Sequence, residues 1–260
     1  MDDFDLRFGG ISRLYSAEGL QRLREARVCV VGLGGVGSWS AEALARSAVG
    51  RITLVDMDDI CASNVNRQLQ ALDGVFGRPK VDVLAERIRA INPHCLVQAR
   101  TEFFTPSTAE EILQGGFSYV IDAIDNVPNK CLLIARCRGL GLRIVTVGGA
   151  GGRRDPTSAR VTDLAQTTHD NLLLQVRKKL RDDYGFPRES KQPFNVPCVF
   201  SPERAVYPGD AGSECATPAE GAPLRLGCES GYGTASFVTG TFAFLAAGCV
   251  VNAIAGGIGA

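Results

Sequence analysis

Four glycines, Gly32, Gly34, Gly35 and Gly37, sit in the run "VCVVGLGGVGSW", where a β-branched stretch meets a helix-compatible one. Glycine at such a junction permits a tight turn and close approach of a ligand to the backbone, and the helix after it offers unpaired N–H donors to an anion. G-x-G-x-x-G with Asp56 some twenty residues later fits NAD, whose adenosine ribose a carboxylate holds; it fits ATP as well. The next segment separates the two. "DMDDICASNVNRQ" brings Asp56, Asp58, Asn64, Asn66, Arg67 and Gln68 onto one loop, and Lys80 opens the next helix. Hydride transfer has little use for two cations there. Attack at the α-phosphorus of a triphosphate accumulates negative charge that Arg67 and Lys80 can neutralise. "DAIDN" then places Asp122, Asp125 and Asn126 where open α/β sheets bind ligands, and a carboxylate there can hold Mg²⁺ against phosphates. The combination favours ATP. Each group also has a plainer use: Arg67 as a loop cap, Lys80 as a partner of Asp82 or Glu86, Asp122 as a brace at a strand end.

These residues need a parallel sheet to bring them together. Short apolar runs alternate with amphipathic ones through the first 150 residues, the pattern of repeated βαβ units. The runs predict strands near Val28–Gly32, Arg51–Asp56, Cys95–Thr101, Tyr119–Ala123 and Arg143–Val147, with helices after the glycine turn, after Pro79 and after Pro128. In the second of these, Val81, Leu84, Ile88 and Ile91 recur at helical spacing and mark the face that packs on the sheet. From Gly148 the texture changes. "GGAGGRRDP" reads as a flexible turn, "NLLLQVRKKLRDDYG" as a helix, "CVFSPERAVYP" as paired short strands, and "GDAGSECATPAEGAP" as a mobile loop. The fold expected is α/β: a Rossmann-like, doubly wound, mainly parallel sheet with an elaborated C-terminal half. We read residues 1–260 as a single domain, with a nucleotide-binding half over 27–150 and a substrate-binding and dimerisation half over 151–260.

Lys plus Arg and Asp plus Glu both total 28 in the 260 residues, so no global cationic field announces a nucleic-acid partner. A local patch would have to serve, and Arg177, Lys178, Lys179 and Arg181, with Arg188 and Lys191, are the clustered candidates. Nine cysteines, an odd number without a C-x-x-C pair, fit a reducing cytosol and leave a zinc site of the usual spacing unsupported. After Glu229 no charged side chain occurs up to Ala260. That length would span a membrane, but its Gly, Ser, Thr and Ala content, Asn252 and the lack of flanking cations favour a buried or interfacial helix.

Taken together, "GLGGVGS", "D-x-D…N-x-N-R-Q", the lysine of "GRPK" and "D-A-I-D-N" resemble, in order and spacing, the ubiquitin-activating-like adenylating superfamily, which includes the activators of sulfur-carrier proteins in thiamine and molybdopterin synthesis. The resemblance implies ATP and Mg²⁺ as cofactors, Asp56 on the ribose, Asn64, Arg67 and Lys80 on the phosphates, and Asp125 on the magnesium. It extends the binding set to Gly32, Gly34, Gly35, Gly37, Asp58, Gln68 and Asn126. Arg13 in "FGGISRLYS" is similar to the arginine that such dimers lend to the partner's ATP, which implies a homodimer; its plainer use is to tether the N-terminal helix.

The second half, through "VTVGGAGGRRDPTSARVTDLAQT", "VPCVFSPERAVYP" and "SGYGTASFVTGTFAF", resembles the tRNA threonylcarbamoyladenosine dehydratase branch of that superfamily, and the missing C-x-x-C pairs set it apart from the carrier activators. That branch implies a ligase-type adenylation of a tRNA carboxylate followed by ring closure. It also implies a link to cysteine desulfurase partners, which raises an acyl-acceptor role for Cys198 and Cys215 beside their ordinary one as small apolar residues. The competing readings are an activator of a ubiquitin-like carrier's C-terminus, an NAD-linked oxidoreductase and a nucleotide-sensing scaffold without turnover.

Overall fold

A computed structural model describes residues 3–189, 192–208, 214–215 and 233–256. The glycine turn sits between β1 (Arg27–Val31) and α2 (Gly35–Arg46), the first step of a series that continues through β2 (Arg51–Val55), α3 (Lys80–Ile91), β3 (Leu96–Arg100), α4 (Ala109–Leu113), β4 (Tyr119–Asp122), α5 (Val127–Gly139) and β5 (Ile144–Val147). Each of the five predicted strands lies within one residue of its expected bounds. All pair in parallel, in the order β3-β2-β1-β4-β5. The order reverses between β1 and β4, so the crevice of a doubly wound sheet opens beyond their carboxyl ends.

The sheet is buried on both faces. Val28, Val30, Ile52 and Leu54 point into one core with Leu44 of α2 and Leu84 and Ile88 of α3, whereas Cys29, Val31, Val55 and Val120 meet Ile112 of α4 and Leu133 of α5 on the other. Period-2 alternation sends neighbouring side chains to opposite faces, and both faces being covered makes the strands read as continuous apolar runs.

The second half extends the same sheet. β7 (Pro197–Phe200) runs parallel to β5, and β6 (Arg160–Asp163) closes the edge antiparallel to β7. This corrects the expected pairing within "CVFSPERAVYP": its second strand, β8 (Tyr207–Pro208), pairs instead with β9 (Glu214–Cys215). The first strand is apolar enough to be interior and finds its partners in distant segments. The remainder of the expected mobile loop lies outside the described residues. Helix α6 (Asn171–Asp183), capped by Asp170, packs on α5.

The apolar C-terminal segment forms α7 (Ser236–Ala255). Its small residues let it lie close along α2, with Ala246, Ala247 and Val250 in the core beside Ala41 and Ala45. α1 (Asp3–Glu25) clasps its end: the Tyr15 hydroxyl reaches Asn252 Oδ1 at 2.5 Å, and Arg22 donates to the carbonyls of Ile254 and Ala255, satisfying groups that every helix C-terminus leaves open. The helix thus buries one side within the fold, while Phe237 and Phe244 stay exposed on the other.

Candidate functional site

The turn itself is shaped by glycine where nothing else fits. Gly32 has φ +87°, and a Cβ there would lie 2.8 Å from the Ala123 carbonyl oxygen; a Cβ on Gly37 would lie 1.8 Å from the Gly32 oxygen. These two close approaches seat α2 on the turn and the turn against the chain leaving β4. At Gly34, by contrast, a Cβ would meet nothing within 4 Å. That position faces open space beside the helix N-terminus, so backbone N–H groups are accessible to a ligand. Gly37→Ala therefore collides with backbone; we expect a loss of several kcal/mol, read as poor soluble expression or a much lower Tm, whereas Gly34→Ala folds with an unchanged Tm.

On the β2 side, Asp56 ties the turn to its loop. Its Oδ2 accepts from Leu33 N at 2.5 Å and its Oδ1 from Asp58 N at 2.8 Å. Burial pushes the Asp56 carboxyl above its ordinary range, against the opposing pull of Lys80 and of the two N–H donors. Lys80, nearly buried at the start of α3, places Nζ 2.7 Å from Asp58 Oδ2 and 3.9 Å from Asp56 Oδ1. Its own N–H donates to the Asp58 carbonyl at 3.0 Å, which fixes the helix start beside that loop. Asp82 and Glu86 are not its partners.

Arg67 lies over the start of α2. Its Cγ would stand 3.4 Å from a Cβ on Gly35, and its carbonyl accepts from Trp39 Nε1 at 3.1 Å. The guanidinium donates to Ser63 O at 2.7 Å and Asn66 Oδ1 at 2.9 Å, so here it caps its own loop. Asn66 in turn bonds Thr234, anchoring the loop to the segment before α7. Asn64 and Gln68 are buried: the Asn64 side-chain carbonyl accepts from Cys61 N, and that of Gln68 from Gln70 Nε2. Both side chains spend these acceptors on the loop itself.

Beyond β4 the two aspartates separate. Asp122 is sealed, its Oδ2 accepting from Thr146 Oγ1 at 2.6 Å and facing Lys130 Nζ at 2.9 Å, its Oδ1 accepting from Ile124 N at 3.1 Å. The plainer reading of Asp122, a strand-end brace, is the one realised, and it offers no oxygen to a metal. Asp125 is exposed and makes no hydrogen bond or ion pair among the described residues. Asn126 caps α5 by accepting from Asn129 N at 3.1 Å. Lys130 was not among the expected site residues. Fully buried, it donates to Ile124 O at 2.9 Å and braces the loop that carries Asp125; a lysine directly preceding the apolar run "CLLIA" is the signal that marks it.

The glycine-rich stretch after β5 is pinned rather than loose. Arg153, also buried, donates to Gly149, Gly151 and His169 carbonyls and pairs with Asp170 at 3.3 Å, while Asp170 accepts from Gly149 N and caps α6. This bounds the crevice on the β5 side.

The whole arrangement has known counterparts. Residues 10–256 match the ThiF family. The chain belongs to the ThiF family. Among relatives, tRNA threonylcarbamoyladenosine dehydratase of Escherichia coli K12 is 51% identical over 247 residues, covering 94% of this chain and 92% of its own. Its namesake in Haemophilus influenzae is 45% identical over 252 residues, covering 97% and 94%. Crystal structures of the E. coli dehydratase in complex with ATP and with AMP both give a TM-score of 0.88 at 45% identity, covering 99% of this chain and 97% of theirs.

Other expected groups of this ThiF-family chain are distributed differently. On α6, Arg177 bonds Thr167, Lys179 pairs with Asp183 at 2.6 Å, and Arg181 donates to Pro187 O, leaving Lys178 as the cation there without a partner among the described residues. Arg188 faces Asp182 at 3.5 Å, and Lys191 lies outside the described residues. Lys179 and Arg188 thus face carboxylates, whereas Arg177 and Arg181 bond neutral oxygens and keep their charge. Cys198 is buried and burial pushes its thiol up, as it pushes those of Cys95, Cys131 and Cys137 up to about 12; none is a ready thiolate. The Cys215 side chain lies outside the described residues. Arg13 is exposed on α1, with no hydrogen bond or ion pair among them.

Proposed function

We propose that this protein catalyses the ATP-dependent dehydration of N6-threonylcarbamoyladenosine in tRNA to its cyclic form by adenylating the threonyl carboxylate. The observation that carries the reading is the pairing of near full-length similarity to the named dehydratases with a crevice of the right chemistry: open backbone at Gly34, cations at Arg67 and Lys80, a free carboxylate at Asp125.

In this reading ATP lies on the glycine turn, with Asp56 on the ribose and the Asp58 loop beside it. A threonyl carboxylate oxygen attacks the α-phosphorus and the bond to the β-phosphate oxygen breaks, releasing pyrophosphate. Arg67 and Lys80 stabilise the charge that builds on the transferring and leaving oxygens. Arg67 exchanges Ser63 and Asn66 for phosphate, and Lys80 is aimed by Asp58. A nucleophile of the same side chain then attacks the activated carbonyl carbon; AMP leaves with the electron pair of the broken C–O bond, and the nucleophile gives up its proton. The oxygen formally lost as water leaves on AMP. Intramolecular attack gains from proximity, so orientation and water exclusion suffice and no enzyme nucleophile is needed. The reaction transfers no sulfur, which leaves cysteine desulfurases without a chemical step in it.

Magnesium fits the donor set: an exposed carboxylate, Asp125, with no group of three or more metal-ligating side chains among the described residues. Such an ion keeps most of its shell as water and phosphate oxygens and neutralises phosphate charge. We place Arg13 in the partner's site of a homodimer; Leu6 and Leu14, 68% and 71% exposed on the same helix, provide apolar surface for that contact. Mixing inactive Arg13→Ala and Asp125→Ala chains should then restore measurable turnover, because the mixed dimer contains one site with both groups intact. No recovery after subunit exchange argues against an arginine supplied across the interface.

Dehydration also separates from carrier activation by its acceptor. ATP–pyrophosphate exchange should rise with tRNA bearing the modified base and stay flat with a small carrier ending in Gly-Gly; the reverse response would assign the site to a carrier protein.

A further inference from the structure

The amino edge of the sheet, at the far end of β1 from the glycine turn, carries a second concave feature. Arg27 and Arg51 open β1 and β2 and are register partners, so their side chains leave the same sheet face. Over this face the connection from β3 to β4 supplies only the short α4, and an open cleft of about 540 Å³ remains. Arg27, Arg51 and Arg89 line it, with Thr53, Gln98 and Phe117. Among the described residues no aspartate or glutamate does.

Several arginines nearby face carboxylates: Arg78 with Glu86, Arg87 with Glu42, Arg100 with Glu102 and Glu111. The three cleft arginines are exposed and form no ion pair among the described residues; Arg27 reaches only the Gly115 carbonyl at 3.5 Å, and Arg89 the Val97 carbonyl at 3.2 Å. Two cations on adjacent strands repel each other, and an anion between them removes the repulsion. In a chain with equal numbers of cationic and acidic residues, such an acid-free cluster is a local positive field.

We infer that this cleft is an anion site for backbone phosphates of the tRNA that the proposed function makes the substrate, and the inference rests on that reading. Guanidinium forks match phosphate oxygens in pairs. Phe117 is 8% exposed, so it offers little face for a base to stack on; the cleft is suited to the backbone. At roughly 3.3 Å per residue, β1 separates the cleft from the glycine turn by roughly 17 Å, a span that a folded RNA bridges while its modified base occupies the crevice.

The test uses full-length Arg27→Gln/Arg51→Gln protein, with Arg51→Lys as the charge-keeping control and Arg89→Gln as an independent variant of the same cleft. Filter binding of tRNA is measured across a salt series. The double variant should bind on the order of tenfold more weakly at low salt, with the slope of log K against log salt shallower by about two, one for each phosphate no longer neutralised. ATP affinity and kcat at saturating tRNA should match wild type, and Arg51→Lys should keep the wild-type slope. Unchanged tRNA affinity and slope in both the double variant and Arg89→Gln would overturn the assignment. So would loss of inorganic phosphate binding alone with tRNA binding intact, which would make this a small-anion site. Failure of the proposed function looks different: wild type would bind tRNA without converting the modified base, whatever the cleft variants do.

Discussion

Asp125→Ala should lower magnesium-dependent turnover by roughly a hundredfold to a thousandfold, the usual cost of removing one electrostatic element from a transition state, with Tm unchanged. The loss of turnover stems from position: Asp125 leaves β4 at the point where the strand order reverses, across the glycine turn from Lys80. The unchanged Tm stems from its surroundings, because the carboxylate is exposed and bonds to nothing among the described residues, so the fold does not depend on it. A magnesium titration separates a metal role from a general charge effect. With a metal role the variant needs far more Mg²⁺ for half-maximal rate; near-normal turnover at ordinary Mg²⁺ would remove Asp125 from the site.

Its neighbour should behave in the opposite way, through stability. Lys130→Met leaves the fully buried Asp122 without its cation, and breaking a buried pair in this manner costs about 3 to 5 kcal/mol. For a chain of this size that corresponds to a Tm lower by roughly 6 to 20 °C. Burial already pushes the Asp122 carboxyl up, and Lys130 is the largest influence holding it down, ahead of Thr146 and Ile124 N. Without Lys130 the folded chain keeps the proton at a pH where the unfolded chain has released it. The folded state then binds more protons, so stability falls as pH rises above the ordinary carboxylate range. The deficit against wild type should therefore be smaller near about pH 5 than near about pH 7, and Lys130→Met/Asp122→Asn should recover part of it. An unchanged Tm would show that the pair contributes nothing to the fold.

The contrast between these two aspartates marks what the sequence makes legible. The glycine turn, the strand cores and the face of α3 carry local signals: β-branched runs, period and spacing over a few residues. Those strands form within one residue of where they are expected. Arg67 and Lys80 were legible as a pair of cations because motif order brings them near one turn. Whether Asp122 or Asp125 stays open was not, since burial depends on Thr146 and Lys130 arriving from β5 and α5. Partner choice for β7 is likewise non-local: its apolar residues identify a strand, but only the assembled sheet leaves the place beside β5. The α6 cations show the same limit: Asp183 pairs with Lys179, and Thr167 and the Pro187 carbonyl fix where Arg177 and Arg181 point, none of which composition shows. In α7, apolarity without charge fits a membrane span and a core helix equally; its fit along α2 and the bond from Tyr15 to Asn252 belong to the folded chain.

Ring closure on tRNA is the step that distinguishes this chemistry from every other use of an adenylated carboxylate. Mass analysis of nucleosides from tRNA bearing threonylcarbamoyladenosine, after incubation with the protein and Mg-ATP and with AMP measured in parallel, tests it most directly. The predicted result is loss of one water from the modified nucleoside, matched mole for mole by AMP, with the initial rate lowered by roughly a hundredfold or more in Asp125→Ala. An unchanged nucleoside mass alongside continuing ATP–pyrophosphate exchange would contradict it and assign the adenylated carboxylate to another substrate.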